Sequence, residues 1–443
     1  MKRENWGSRF GFIMAAAGSA IGLGNIWKFP YLAGSEGGGA FLLVYLFFMV
    51  TIGFCIMAAE IAMGRRTQQS PVGAFLSLGG KGWVIFGYLA TIAAFIILSY
   101  YSVVGGWTIA YFVKTLTGGL ATTDAVTHGD NFGALISSPI EPIIYHGVFM
   151  ALTILIVLKG VNSGIEKASE VLMPLLFALM IIMVIRAVTL PGAMEGIKFF
   201  LQPNWDQFDM GTVSAAMGQA FFSLSLGMGA IITYGSYVSK SDRIPGSAGY
   251  IVTLDTSIAF LAGMMILPAV FAFNVDPGAG PGLTFITLPA IFEQMWAGTF
   301  FQAAFFLMLA IAALTSAISL LNNPVSYLED NHGMNRQTAT IIVGVGIFLL
   351  GVPSSLAMGV WGDVSFFGKD FFSLCEFLTD KLLLPIGGIA VSVMAGWVAY
   401  PLIVEELTNK GTAQFAYLPV WSFVCRIFAP LAILYILVSG LLV

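Results

Sequence analysis

Charge is scarce in this chain. Asp, Glu, Lys and Arg make up 9% of its 443 residues, against 58% hydrophobic ones, and the formal net charge is −4. Soluble domains carry about 25% charged residues, so a water-soluble fold is excluded. A small, dispersed net charge also argues against a nucleic-acid partner. Cysteine is nearly absent: Cys55, Cys375 and Cys425 each fall in or beside an apolar stretch, which implies free buried thiols and no disulfide framework. Histidine is as rare, and His128, His146 and His332 lack metal-ligand spacing. There is no GxSxG, no HExxH, and no paired nucleophile and base, so the chain does not read as an enzyme. A cleavable leader is not expected either. The first apolar stretch, after Lys2, Arg3 and Arg9, outruns a signal core and is followed by no small-residue cleavage site.

What is present is hydrophobic length. A spanning helix takes about 20 apolar residues, and eleven such stretches centre near residues 20, 50, 95, 150, 177, 225, 260, 310, 345, 385 and 430. The expected fold is an all-α membrane protein. Basic residues in the connections set its orientation. With the N-terminus in the cytoplasm, that side collects Lys2, Arg3, Arg9, Arg65, Arg66, Lys81, Lys159, Lys167, Lys240, Arg243, Arg336 and Lys410. The other side keeps Lys114, Arg186, Lys198, Lys369 and Lys381. The N-terminus is therefore expected inside and, with an odd number of spans, the C-terminus outside. No linker or soluble domain interrupts the chain. Its longest polar connections lie at about 115–140 and 191–211.

Two spans read abnormally. The first holds Gly18-Ser19-Ala20-Ile21-Gly22-Leu23-Gly24-Asn25 at mid-membrane, and the sixth holds Phe222-Ser223-Leu224-Ser225-Leu226-Gly227-Met228-Gly229. Glycine weakens a helix interior by about 1 kcal/mol relative to alanine, and Ser and Asn compete for its backbone hydrogen bonds. Any single glycine here reads equally well as close helix packing. A pair of such breaks five helices apart points to unwound backbone around a midplane site between inverted repeats. Spans one to five, about 9–190, and six to ten, about 211–398, would be the repeats, with an eleventh helix at about 417–441 appended. Broken helices present free N–H groups to an anion and free carbonyls to a cation, which suits a zwitterion. Hard-cation oxygens are at hand in Asn25, Ser223, Asp255, Thr315 and Ser316. Asp255, an ionisable group in an apolar span, is a functional candidate by default.

Trp6, the run Gly18 to Pro30 (GSAIGLGNIWKFP), Gly37 to Phe41, Gln219 to Ser225 and Leu328-Glu329-Asp330 resemble the neurotransmitter:sodium symporters. The likeness is strongest to their leucine-transporter-like bacterial members, and the eleven-helix form looks like the bacterial multi-hydrophobic amino-acid transporters. The resemblance runs over nearly the whole chain in order.

It implies a sodium-coupled importer of hydrophobic L-amino acids, such as leucine or tryptophan, working as a monomer in the bacterial inner membrane by alternating access. Two sodium ions would be co-transported, with no organic cofactor. One sodium would meet the Ala20 carbonyl, Asn25, Ser223, Asp255 and the substrate carboxylate. The other would meet the carbonyls of Gly18, Ile21 and Ala312 and the hydroxyls of Thr315 and Ser316. The substrate carboxylate would meet the Leu23 and Gly24 amides and Tyr101, and its ammonium the carbonyls of Ala20, Phe222 and Ser223 and the Ser225 region. Ile97, Phe222, Met228 and Leu320 would shape the side-chain pocket. Family members that carry amines have an aspartate where this chain has Gly22, so an amino acid is implied over a monoamine. Asp255 stands where the family usually has asparagine, which implies chloride-independent transport.

Gates follow from the same resemblance: Lys28 with Glu376 outside, where Asp370 and Asp380 lie close by as alternative partners, and Arg3 with Asp330 inside, beside Trp6 and Tyr237. Gly164 and Pro174 match a pattern for local unwinding of the fifth span, and Glu60 is placed to hold the unwound part of the sixth. Two readings stand beside the sodium importer: a proton-coupled transporter of the same fold, with Asp255 titrating, and a non-transporting amino-acid sensor.

Overall fold

The computed structural model describes residues 3–206, 208–275 and 282–442; Lys2, counted above for orientation, lies outside them. Among the described residues the regular elements are helices, joined by two isolated bridges, Gly38 with Pro203 and Phe366 with Lys369. Among the described residues nine helices are long and apolar enough to cross a membrane: Gly39–Thr67, Val84–Leu116, Glu141–Leu158, Val161–Val188, Ile244–Ala272, Gly298–His332, Arg336–Leu356, Phe371–Val398 and Leu418–Leu441. A tenth span is the bent pair Arg9–Ala20 and Gly24–Ser35, whose halves meet at 54°. The sixth stretch folds as Met210–Ser223 and Ala230–Gly235, two pieces each too short to cross alone. In chain order these are spans 1 to 11.

Both breaks have local causes. In span 1, Ile21 turns to extended backbone with ψ 108° and the helix resumes as a π-type turn, Gly24–Lys28. In span 6, Ser225, Gly227 and Gly229 all adopt positive φ. Gly227 could be nothing else: a Cβ there would run into the Leu384 carbonyl of span 10, in a conformation only glycine takes without strain.

Unwound backbone at membrane depth must find partners inside the protein, and it does. Glu60 of span 2 accepts from the Gly227 amide at 2.8 Å, as its position suggested, and Asn323 of span 8 donates to the Met228 carbonyl at 2.7 Å. The Ser225 hydroxyl reaches the Ser19 carbonyl at 2.8 Å, fastening one break to the other.

Burial orders the bundle. Of the apolar stretch of span 8, 83% is buried, against 28% for span 5 and 22% for span 11. Span 8 is thus the central post, and spans 5 and 11 turn residues such as Val171, Ile185 and Leu431 outward, the apolar exterior a lipid solvent requires. The three cysteines are free and buried, as expected.

The polar connections are more structured than their composition suggests. The 115–140 segment folds the helix Ala125–Ser137, capped by Asp124 on the Val126 and Thr127 amides, and the 191–211 segment folds Ala193–Leu201. Between spans 7 and 8 lies a further short helix, Leu283–Glu293.

Candidate functional site

The two breaks face each other across a small pocket of about 30 Å³, walled by spans 1, 3, 6 and 8. All ten residues expected to touch substrate line it: Ala20, Leu23, Gly24, Ile97, Tyr101, Phe222, Ser223, Ser225, Met228 and Leu320. Each comes from a break or from the helix face opposite one. The Tyr101 hydroxyl accepts from the Leu23 amide at 3.2 Å, so the phenol and a backbone N–H of the break already meet at one point. Gly22 is walled in: a Cβ there would lie 2.7 Å from Ser316 Oγ and 2.8 Å from the Tyr101 hydroxyl oxygen.

On one flank Asn25, Ser223 and Asp255 form a closed triangle. Asn25 Nδ2 lies 2.8 Å from both Ser223 Oγ and Asp255 Oδ1, and Ser223 Oγ donates to Asp255 Oδ2 at 2.8 Å. Asn25 Oδ1 accepts from the Gly22 amide at 3.0 Å. All three side chains are buried, and a buried carboxylate is tolerable only when paired or hydrogen-bonded like this.

On the other flank the Ser316 hydroxyl reaches the carbonyls of Gly18, at 3.3 Å, and Ile21, at 3.1 Å. Thr315 Oγ1 lies 3.0 Å from the Ala312 carbonyl. The five oxygen-bearing residues expected around a second cation, drawn from spans 1 and 8, are therefore together.

Tyr101 and Phe222 also line a second, larger cavity of about 360 Å³ walled by aromatic residues, including Trp27, Tyr31, Trp107, Phe132 and Phe372. Lys28 sits at its edge, 5.0 Å above the Phe222 ring. Its acidic partner differs from the one expected. Lys28 Nζ lies 3.9 Å from Asp380 Oδ2, and Glu376, although it lines the same cavity, forms no such pair. The two acids are one helical turn apart where span 10 opens into the wide turns Phe377–Leu383. Asp380 sits one turn deeper and is tied in by the Tyr100 hydroxyl at 3.5 Å, whereas Glu376 is exposed.

The opposite face is shut. Arg3 pairs with Asp330 at the end of span 8, donates to Ser236 Oγ, and lies 4.6 Å over the Tyr237 ring. Trp6 is buried, its indole N–H on the Tyr234 carbonyl at 3.0 Å and its ring against Tyr237. The sequence reading brought all four residues to this place.

It assigned no role to two others and left a third open. Gln219 donates to the Gly24 carbonyl at 2.9 Å, bracing the rim of the first break from the sixth span. Asn323 holds the second break, and Asp380 meets Lys28. An amide in an apolar stretch was the available signal for the first two; for Asp380 the sequence offers only three acids within eleven residues.

Matches to other proteins agree with this geometry. The family model described as the sodium:neurotransmitter symporter family matches residues 3–131 and 143–443. An uncharacterised sodium-dependent transporter of Bacillus subtilis, YhdH, is 40% identical over 440 residues, covering 99% of this chain and 98% of that protein. A sodium-dependent transporter of Haemophilus influenzae is 38% identical over 452 residues, with the same coverage. Among solved structures, the crystal structure of MhsT in complex with L-phenylalanine superposes with a TM-score of 0.91 at 45% identity, over 99% of this chain and 100% of that one. With the family model matching residues 3–131 and 143–443 and YhdH alike over 99% of the chain, the protein is no enzyme: it belongs to the sodium:neurotransmitter symporter family, as a multi-pass, sodium-dependent membrane transporter.

Proposed function

We propose that this protein imports hydrophobic L-amino acids together with two sodium ions, by alternating access around the two broken spans. The observation that carries the reading is the pocket between the breaks. The backbone amides of Leu23 and Gly24 and the Tyr101 hydroxyl suit a carboxylate, the Asn25–Ser223–Asp255 triangle suits a cation beside it, and Ile97, Phe222, Met228 and Leu320 make the rest apolar. The L-phenylalanine bound by MhsT supports the same substrate class.

The walled-in Gly22 favours a substrate that brings its own carboxylate, since a side chain there would displace Ser316 and Tyr101. The first sodium would take the Ala20 carbonyl, Asn25, Ser223, Asp255 and that carboxylate; the second would take Gly18, Ile21, Ala312, Thr315 and Ser316. To receive them the hydroxyls rotate their protons away and turn lone pairs to the ion. The pocket admits a side chain by moving Met228, a flexible residue set between two glycines.

Residues 3–8 close the cytoplasmic exit, and Lys28 with Asp380 forms the outer gate, Glu376 contributing charge above it. The repeats 9–190 and 211–398, with the helix at 417–441 outside them, supply the two half-bundles. The bacterial inner membrane, a cytoplasmic N-terminus, an external C-terminus and a monomeric unit complete the reading. Equilibrium binding of labelled L-phenylalanine tests it. Saturable binding in sodium but not potassium, displaced by leucine and tryptophan and not by phenethylamine, is expected; displacement by phenethylamine equal to that by leucine would contradict it.

A further inference from the structure

Residues 4–8 and the start of span 5 exchange carboxylates. Glu4 reaches the first amide of span 5, accepting from Val161 N at 2.7 Å. Glu166, from the same π-type turn Val161–Glu166, reaches back to the start of span 1. Its Oε2 accepts from Gly7 N at 2.7 Å, and its Oε1 accepts from Ser8 N and Ser8 Oγ, each at 3.0 Å. Ser8 is also the N-cap of span 1, its hydroxyl accepting from Gly11 N at 2.8 Å. Each acid thus caps the other element's helix, satisfying amides that a helix start leaves free and placing negative charge at a positive dipole end.

The fit is close. A Cβ at Gly11 would strike the Glu166 carboxylate, one at Gly7 would lie 2.5 Å from Asn162 Nδ2, and one at Gly160, where φ is +91°, would lie 3.2 Å from Glu4 Oε1. Glu166 is buried, and the donors to its carboxylate come from the segment that also carries Arg3 and Trp6.

We propose that Glu4 and Glu166 are positioning residues of the inner gate, a reciprocal clasp that lets residues 3–8 leave only as the turn Val161–Glu166 comes undone. Withdrawing the segment alone would strip a buried carboxylate of its donors, which strongly disfavours that state. Unwinding the turn moves Glu166 toward water and frees the Val161 amide from Glu4 in the same step. Gly164 fits such a segment: its Cβ would run into the Ile156 carbonyl, so the turn packs tightly through a residue that holds it with no side chain. The inference rests on reading residues 3–8 as the inner gate, but its test does not require transport.

Hydrogen–deuterium exchange is measured on the purified full-length protein in potassium buffer without substrate, for the wild type, Glu4→Gln and Glu166→Gln. Each amide keeps the shape but offers one acceptor oxygen. Each variant is expected to speed exchange about fivefold or more in both segments, 3–12 and 161–172, including the one that carries no substitution. Acceleration confined to the substituted segment, or absent from both, would overturn the clasp. If Glu166→Gln also loosens span 8, the decision passes to the exposed Glu4→Gln: faster exchange at 161–172 upholds the proposal and unchanged exchange refutes it. Loss of sodium-driven uptake in the wild type would defeat the transport reading and leave this result standing.

Discussion

Asp255 of span 7 and Asn25 of span 1 meet at 2.8 Å on one flank of the pocket, with Ser223 of span 6 closing the triangle. A fixed carboxylate there supplies a negative charge that needs no bound anion. Uptake is therefore expected to be unchanged when chloride is replaced by gluconate. Asp255→Asn removes the charge and is expected to weaken apparent sodium affinity by about tenfold, a charged hydrogen bond being worth about 1.5–3 kcal/mol. A sodium titration of uptake checks both.

Gly22 tests how the pocket distinguishes substrates. Gly22→Ala places a methyl 2.7 Å from Ser316 Oγ and 2.8 Å from the Tyr101 hydroxyl, so both the cation cage and the carboxylate contact must shift. Amino-acid uptake is expected to fall at least about tenfold, roughly 1.4 kcal/mol, with no gain of amine transport. Competition assays with leucine and phenethylamine on the variant decide it.

The outer gate assigns different roles to two acids a turn apart. Asp380→Asn removes the partner 3.9 Å from Lys28 and is expected to change the KM for substrate several-fold. Glu376→Gln, on an exposed residue, is expected to change it by a smaller factor than Asp380→Asn does, since exposed charge pairs contribute only about 0–1 kcal/mol. Equal effects from the two variants would return the gate to Glu376.

Two neighbouring ion pairs at the end of span 2 differ sharply in burial. Arg65 pairs with Glu406 at 2.7 Å with side chains 1% and 5% exposed, and Arg66 meets Glu405 at 3.1 Å with 29% and 50% exposed. Arg65 also donates to the Asp242 carbonyl and Lys240 to Glu406, so the buried pair ties span 2 to the segment after span 6 and to Tyr400–Leu407, the short helix that follows span 10. Glu406→Ala, which leaves a buried guanidinium unpaired, is expected to destabilise by about 3–5 kcal/mol. Glu405→Ala is expected to cost less than about 1 kcal/mol. Thermal unfolding of the detergent-solubilised protein separates them.

The central geometry is legible in the sequence because its residues are out of place there. Glycines, serines and an asparagine inside apolar spans have no ordinary reason to be at mid-membrane, so Gly18 to Asn25 and Phe222 to Gly229 announce the breaks. Asp255 is visible for the same reason. What the sequence conceals depends on rotation and on tertiary pairing. Glu376 and Asp380 look equivalent until the wide turns of span 10 set one deeper than the other. Glu166 lies at the polar mouth of span 5, where an acid ordinarily faces water, and only the packing of residues 7 and 8 against it shows it buried. The helix Ala125–Ser137 sits in a connection whose composition reads as loop, and its cap at Asp124 is a two-residue signal easily lost among turn formers.

The measurement that bears most directly on the account is uptake of labelled L-phenylalanine into proteoliposomes, under an inward sodium gradient or with potassium at the same pH. It is made for the wild type, Asn25→Ala and Thr315→Ala. Accumulation that requires sodium and falls at least about tenfold in each variant is the expected result, because one substitution opens the Asn25–Ser223–Asp255 triangle and the other removes a hydroxyl from the Thr315–Ser316 cage. Accumulation driven equally well without sodium, or undiminished in both variants, would contradict it.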